Sequence, residues 1–159
     1  MTRTLIALSI VCAAVMTLAL PVAVHAQSAE LGTSAGNAKV DDSLYRELGA
    51  QTGVDALVDD FVPRLATDER MGEFFKHVDQ RHLKAMLSQV FCIVAGGNCV
   101  YTGRSISEVH REMDITKGDF NALVEVLQAS MDARHIPFAT QNRLLAQLAP
   151  MHRDIVTVH

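Results

Sequence analysis

Residues 83–97, LKAMLSQVFCIVAGG, carry the clearest structural pattern in this chain. Apolar side chains recur at intervals of three and four residues, which places them on one face of an α-helix. Two glycines follow, and glycine is the usual residue just past a helix end. The stretch therefore predicts an amphipathic helix that ends at Gly96–Gly97. Its apolar face consists of Leu83, Met86, Leu87, Val90, Phe91 and Val94.

A second helical stripe lies upstream of this helix. Apolar residues recur at helical spacing between Val54 and Leu65. Pro63 and the turn-like pair Thr67–Asp68 are expected to end this helix, because proline interrupts helical hydrogen bonding.

Three further helices are predicted downstream. Ser105, with Glu108 three residues later, forms a capping box for a short helix. Thr116 caps a longer helix, and Thr140 is expected to open the last one, with Pro150 as a kink. No alternating strand pattern of useful length occurs. The sequence therefore predicts an all-α domain of about five helices.

The first 26 residues have the layout of a secretory signal peptide. Arg3 precedes a long apolar run, and small residues end it at Ala26. The alternative is a retained membrane anchor, since about 20 apolar residues can also span a bilayer. The predicted organisation is a signal peptide (1–26), a small, polar tether (27–40) and one folded domain (41–159). An exported, periplasmic protein is expected, free of the membrane after cleavage.

The charge balance and the cysteine content restrict the possible functions further. Removing the leader leaves 13 basic residues against 18 acidic ones, a balance opposite to that of nucleic-acid binders. Cys92 and Cys99 remain, and they are a candidate disulfide in an oxidising compartment. Two unpaired thiols are the alternative, because a spacing of seven residues does not fix the Cα separation that a disulfide needs.

Common catalytic and metal-binding patterns are missing from the sequence. The histidines form neither an H-E-x-x-H pair nor a two-Cys, two-His zinc pattern, and no C-x-x-C-H haem attachment signature occurs. There is also no nucleophile elbow, Walker loop or dinucleotide fingerprint. An ordinary hydrolase or nucleotide-binding protein is therefore not supported.

The remaining candidate residues occur in a fixed order along the chain. They are Tyr45, Leu48–Gly49–Ala50, Phe74–Phe75, Gly96–Gly97, Tyr101–Thr102–Gly103 and His110, followed by Ile115–Thr116. In this order they resemble the group I truncated haemoglobins, over about 115 residues from Tyr45 to the C-terminus. Two departures are visible: Ala50 stands where that family has a second glycine, and Asp114 stands where glycine is usual.

The resemblance implies a truncated globin fold, a two-over-two helical sandwich around haem b. His110 would be the proximal iron ligand, a usual role for a neutral imidazole; the alternative is a helix-end histidine with no ligand role. Phe75 would pack against the haem face. Further pocket residues would be Phe61, Phe91 and Tyr101.

The distal side departs from the family. Group I members commonly place tyrosine and glutamine, or another polar residue, where this chain has Val62, Leu83 and Leu87. None of these three side chains can donate a hydrogen bond to bound dioxygen. Such a bond to a charged group contributes roughly 1.5–3 kcal/mol, so tight oxygen storage and efficient nitric oxide dioxygenation are disfavoured.

Met86 offers a second axial ligand. In some cyanobacterial relatives the matching residue is a histidine that binds the iron from the distal side, and a methionine there would supply a thioether sulfur. The alternative is that Met86 fills the core, as most methionines on helix stripes do. His82 is a weaker distal candidate, because its place beside Leu83 should direct it toward solvent or a haem propionate.

Four more residues are candidates for cofactor contact. His152 matches a histidine that bonds covalently to a haem vinyl group in the same cyanobacterial relatives; otherwise it is an exposed helix-end residue. Lys84, Arg81 and Arg111 would meet the haem propionates as charge-assisted donors, or form part of a solvated helix face.

These features predict a redox or electron-transfer haem protein, with His110 and Met86 as axial ligands and a redox protein as partner. The alternative is binding or sensing of the diatomic gases O2, CO and NO at a five-coordinate haem. A nitric oxide dioxygenase or a peroxidase-like enzyme is a third hypothesis, less favoured because no distal acid–base or donor group is visible.

Overall fold

The computed structural model describes residues 41–158; the predicted leader and tether, and His159, lie outside the described residues. Within this range the regular structure is helical and contains no strand. None of these helices is both long and apolar enough to cross a membrane. The elements are α1 (Ser43–Glu47), α2 (Ala50–Thr67), α3 (Gly72–Phe75), α4 (Gln80–Val94), α5 (Ile106–His110), α6 (Lys117–Ala133), α7 (Phe138–Leu148), a 3-10 turn (Ala149–Met151) and α8 (His152–Ile155).

The predicted all-α class is confirmed, and the five predicted helices correspond to α2 and to α4 through α7. The last predicted helix is divided near Pro150 into α7, the 3-10 turn and α8. The structure adds α1 and α3, which have only five and four residues. A helix of that length is shorter than two turns, so it cannot show a repeated apolar interval in the sequence. In the family that the chain resembles, a short first helix begins near the residue that matches Tyr45, and α1 lies at that position.

Helix α2 forms the centre of the core. The six apolar residues of its stripe are each at most 1% exposed. The prediction that Pro63 helps to end this helix is wrong, because α2 continues through it to Thr67. Pro63 is exposed, so water can reach the backbone carbonyl whose helical partner proline lacks. The buried set is Val54, Leu57, Val58, Phe61, Val62 and Leu65.

The start of α7 also differs from the prediction. The helix begins at Phe138, after Pro137 in the N-cap position, and not at Thr140. Thr140 is buried, and its hydroxyl donates to Glu47 Oε2 at 3.1 Å. Its side chain therefore links α7 to α1 and does not cap α7. Pro150 lies in the 3-10 turn, where the helical path changes as predicted.

Two glycines allow backbones to meet closely. A Cβ on Gly53 would lie 1.8 Å from the Leu48 carbonyl oxygen, so only glycine lets α2 pack against the end of α1. Gly96 has a φ of +88° and follows the last turn of α4, which confirms the predicted glycine termination.

The long helices form two packed pairs. Helix α2 packs against α4 and also against α6, while α7 contacts both α4 and α6. The pairs α2–α4 and α6–α7 agree with the two-over-two sandwich that the resemblance implies. Helix α1 is fastened to this body by a hydrogen bond from Tyr45 N to Ala95 O at 3.0 Å. The arrangement leaves α3, α5 and α8 at one side, where the candidate site lies.

Candidate functional site

His110 is the last residue of the short helix α5. The capping box predicted for this helix is present: the Ser105 hydroxyl accepts from the Glu108 amide, and the Glu108 carboxylate accepts from Ser105 N at 3.1 Å. The Ser105 hydroxyl also donates to the Glu108 carboxylate at 2.9 Å, and together with Ser105 N it holds the pKa of Glu108 below its usual value, so the carboxylate stays charged. The box defines where α5 begins, and therefore where His110 lies four residues later.

The imidazole of His110 is oriented by its own helix. Nδ1 lies 2.7 Å from the Ile106 carbonyl oxygen. Because a carbonyl oxygen only accepts, Nδ1 carries the proton in this contact and Nε2 carries the lone pair. A metal-binding histidine usually has this arrangement, in which the outer nitrogen is anchored and the inner one is free to coordinate.

His110 opens onto a small cavity of about 50 Å³. Its lining is mostly apolar and comes from α3, α5, α6, α8 and the segment after α5. The predicted pocket residue Phe75 is part of it. The other lining residues are Met71, Phe74, Met113, Ile115, Asp119, Phe120, Leu123 and Ile155.

Asp119 is the charged residue in this lining, and its carboxylate is engaged. It accepts from the Thr116 hydroxyl at 2.7 Å and from Thr116 N at 2.9 Å, which completes the capping box at the start of α6. The two bonds from Thr116 lower the pKa of Asp119. Asp119 therefore stays ionised as a cap.

Helix α4 presents the N-terminal half of its apolar stripe as a partly covered surface. Leu83, Met86 and Leu87 are half-buried, whereas Val90 and Phe91 are buried in the core. No side chain of this half-covered group can donate a hydrogen bond, as the sequence indicates. His82, the weaker distal candidate, is exposed.

The Met86 side chain lies beside the turn that follows α4. A Cβ on Gly103 would be 2.9 Å from Met86 Sδ and 2.5 Å from Tyr101 Oη. Gln89 of α4 accepts from Thr102 N at 2.9 Å and holds this turn in place. Met86, Tyr101 and Gly103 therefore meet at one point. They are not among the residues that line the His110 cavity.

Three other predicted pocket residues lie in the core between α2 and α4. Phe61, Val62 and Phe91 are at most 3% exposed. The rings of Phe61 and Phe91 are stacked, with centroids 6.2 Å apart. They form the packed layer behind the half-covered face of α4 and do not line the cavity beside His110.

The predicted polar contacts are distributed over several surfaces. Lys84 Nζ is 2.8 Å from Asp59 Oδ1, so its charge is paired across the outer groove between α2 and α4. Arg81 and Arg111 are exposed. His152 is half-buried, and its ring meets that of Phe120 edge to face with centroids 4.9 Å apart. His152 therefore lies directly behind one wall of the His110 cavity.

A disulfide joins Cys92, near the end of α4, to Cys99 in the following loop, with 6.1 Å between their Cα atoms. Gly97 lies inside the closed loop, and a Cβ there would be 2.5 Å from Cys92 Sγ. The glycine therefore leaves room for the chain to fold back onto the helix.

Sequence reasoning missed several residues of the cavity wall. Helical spacing places Phe120 and Leu123 on one face of α6, within thirteen residues of His110, but this pattern predicts only a buried face and not a cavity wall. Ile155 falls on the apolar side of the last predicted helix, a pattern that indicates burial but not a cavity wall. Met113 gave no signal, because it lies in a segment too short to show periodicity.

The described residues fit a haem group. The anchored imidazole, with its free Nε2, would supply a nitrogen ligand to the iron. The apolar cavity wall beside it and the half-covered apolar face on α4 would contact the porphyrin. The capping box at the start of α6 engages Asp119, the one carboxylate among the described lining residues. The donor set therefore matches a haem iron held by histidine.

Comparisons with known proteins agree with this site. The family model for bacterial-like globins matches residues 43–157. The chain is 34% identical over 128 residues to the group 1 truncated haemoglobin of Synechocystis, covering 72% of this chain and 97% of that protein. It is 28% identical over 115 residues to that of Mycolicibacterium paratuberculosis, covering 72% and 85%.

A solved structure shows the same fold. The crystal structure of truncated haemoglobin from Tetrahymena pyriformis in the Fe(III) form superposes with a TM-score of 0.69 at 26% identity, over 71% of this chain and 97% of that one. Helix pairing, the position of His110 and these matches agree. The chain therefore belongs to the bacterial-like globin family as a group I truncated haemoglobin, and its cofactor is haem.

Proposed function

We propose that this haem protein transfers electrons, with His110 and Met86 as the two axial ligands. One observation carries the proposal: on the half-covered face formed by Leu83, Met86 and Leu87, only Met86 has an atom that can bind iron. Haem iron supplies one-electron chemistry and binding of small diatomic ligands when bound. A thioether opposite an imidazole favours the ferrous state, and this pairing is common in electron-transfer cytochromes.

The apolar distal residues support the same proposal. Val62, Leu83 and Leu87 offer no donor to a bound dioxygen, which lowers oxygen affinity by roughly tenfold to a hundredfold relative to a pocket with such a donor. With haem packed against them, these side chains would keep water away from the iron, and a dry surrounding raises a reduction potential further. Oxygen storage and nitric oxide dioxygenation are therefore disfavoured, and a redox partner protein is expected.

A second candidate is gas binding at an open iron. The position of Met86 Sδ beside Gly103 and Tyr101 favours it, because that contact can retain the sulfur away from His110. His110 would then be the only protein ligand, in an apolar site. Such a site suits carbon monoxide or nitric oxide better than dioxygen, since those ligands depend less on donors.

Absorption spectroscopy of the purified holoprotein separates the two candidates. We expect a weak near-infrared band from sulfur-to-iron charge transfer in the ferric protein, and its loss in Met86→Leu, which conserves volume. Met113→Leu is the matched control, because Met113 lines the cavity beside His110 and does not belong to the face of α4 that carries Met86. A five-coordinate ferrous spectrum that Met86→Leu leaves unchanged would refute electron transfer by His/Met ligation and favour gas binding.

We place this function outside the cytoplasm, in the periplasm. The disulfide Cys92–Cys99 supports that compartment, because such bonds persist in oxidising surroundings. The intact mass of protein recovered from the periplasmic fraction should match a chain that begins at Gln27. A full-length mass in the membrane fraction would contradict this location.

A further inference from the structure

The C-terminal segment 156–158 is paired with the chain that follows His110. Thr157 N donates to the Ile115 carbonyl oxygen at 2.9 Å, and Val158 N donates to the same oxygen at 3.1 Å. In return, Ile115 N donates to the Thr157 hydroxyl at 2.9 Å. Both backbone polar groups of Ile115 are therefore satisfied by the C-terminal segment, 42 residues away in sequence.

Ile115 belongs to the wall of the His110 cavity. It is 7% exposed and lines the cavity together with Ile155 of α8. Val156, next in the chain, is 3% exposed and anchors the segment in the protein body. The paired segment is therefore a fixed support on the His110 side of the site.

Helix α5 needs such a support. It has five residues, and a helix of that length is not stable by its own hydrogen bonds. Its start is held by the Ser105 capping box, but its end runs into a turn in which Asp114 has a φ of +49°. Among the described residues after His110, the first hydrogen bonds to a distant part of the chain are those between Ile115 and Thr157.

We propose that Thr157 is a positioning residue for His110. Its hydroxyl holds Ile115 N, and through Ile115 it limits the orientations in which the His110 imidazole can meet the iron. Without that hydroxyl a buried N–H group loses its partner, and the segment between His110 and Ile115 relaxes. The inference rests on His110 as axial ligand, but it is independent of Met86.

Three variants of the holoprotein test the proposal. Thr157→Val removes the acceptor and conserves shape, Thr157→Ser retains the oxygen, and Thr52→Val is the matched control on the exposed face of α2. All three are made in a Met86→Leu background. His110 is then the one protein ligand of the iron, whether or not Met86 binds the iron in the unmodified protein. The measurements are the iron–histidine stretching band of the ferrous protein by resonance Raman, and the rate of haem loss to an acceptor globin.

We expect Thr157→Val to shift or broaden the iron–histidine band and to speed haem loss by about tenfold, the effect of one unpaired buried donor. Thr157→Ser and Thr52→Val should retain the parent band and rate. An unchanged band in Thr157→Val, even with a lower melting temperature, would show a merely structural role and overturn the proposal. Absence of the band from the Met86→Leu parent would instead refute His110 as ligand.

Discussion

At the residue scale, a single histidine is the candidate iron ligand. The hydrogen bond from Nδ1 of His110 to Ile106 O leaves Nε2 as the atom available for coordination, and the bond lies within the same short helix. The orientation of the ligand is thus set by local backbone geometry. What lies opposite the ligand, by contrast, depends on α4, which comes from another part of the chain.

Replacing His110 by glycine should abolish stable haem binding, because no other described side chain in the cavity wall offers a nitrogen ligand. Added imidazole should restore binding by occupying the space of the missing ring. Haem content after gel filtration measures both effects. His135→Gly is the control, since His135 is exposed in the turn after α6. Normal haem content in His110→Gly without imidazole would contradict the assignment.

Ala50 occupies a backbone conformation that suits glycine. Its φ is +54°, at the position where relatives have a second glycine after Gly49. An alanine there costs on the order of 1 kcal/mol, because its Cβ approaches its own backbone. Asp114, with a φ of +49°, shows the same departure, although aspartate tolerates this region better.

Ala50→Gly should therefore raise the free energy of unfolding by about 0.5–1 kcal/mol. This net value is the backbone strain that is relieved, minus the cost of the greater conformational freedom of glycine in the unfolded chain. Urea denaturation followed by circular dichroism measures it. Ala129→Gly, on the exposed side of α6, is the control and should lower stability by about 1 kcal/mol. A loss of stability in Ala50→Gly would disprove strain at this position.

At the element scale, two capping boxes frame the His110 segment. Glu108 caps α5 and Asp119 caps α6, and in both the hydrogen bonds from the cap residue lower the pKa of the carboxylate. A lowered folded-state pKa means that the unfolded chain takes up protons first as the pH falls. The stabilisation is therefore complete above the unfolded values, about 4, and disappears as the pH falls through the folded ones.

Neutralising both caps should remove this part of the acid sensitivity. In the double variant Glu108→Gln, Asp119→Asn, the melting temperature should be below that of the parent at pH 6, and the gap should narrow toward pH 3. Calorimetry across that range measures the gap. Glu69→Gln, at an exposed position in the loop after α2, is the control, and its melting temperature should equal that of the parent across this pH range. A gap independent of pH would show that the caps do not act through their charge.

At the scale of the whole molecule, long-range links hold small elements on the body. The disulfide fixes the loop after α4, Thr157 fixes the segment after α5, and Arg143 of α7 binds Glu47 of α1. A chain with α-helices of only four or five residues at its site needs such links, because those helices have little stability alone.

Reducing the disulfide should lower the free energy of unfolding by roughly 2–3 kcal/mol, the loop-closure entropy of a short crosslink. Urea unfolding of the oxidised and reduced protein measures the difference. Cys99→Ser should match the reduced protein and be insensitive to reductant, since it leaves Cys92 without a partner. Equal midpoints for oxidised and reduced protein would contradict a stabilising disulfide.

The sequence predicted the large helices well, because the buried face of an amphipathic helix requires an apolar residue at every third or fourth position. The stripes of α2 and α4 were found from this spacing, and the caps Ser105 and Thr116 were found from their capping residues. The errors occurred at boundaries: Pro63 is tolerated within α2 where water can reach the backbone, and Thr140 contacts α1 rather than capping α7.

The sequence by itself determined the helical class, the positions of the long helices and the choice of His110 as the candidate ligand, since these depend on local spacing and on residues in a fixed order. Only the tertiary structure decided which residues meet. It turned Lys84 toward Asp59, stacked Phe61 on Phe91, brought Met86 beside Gly103 and joined Thr157 to Ile115. Contacts between residues far apart in the chain leave no periodic signal, because they arise only when the helices pack.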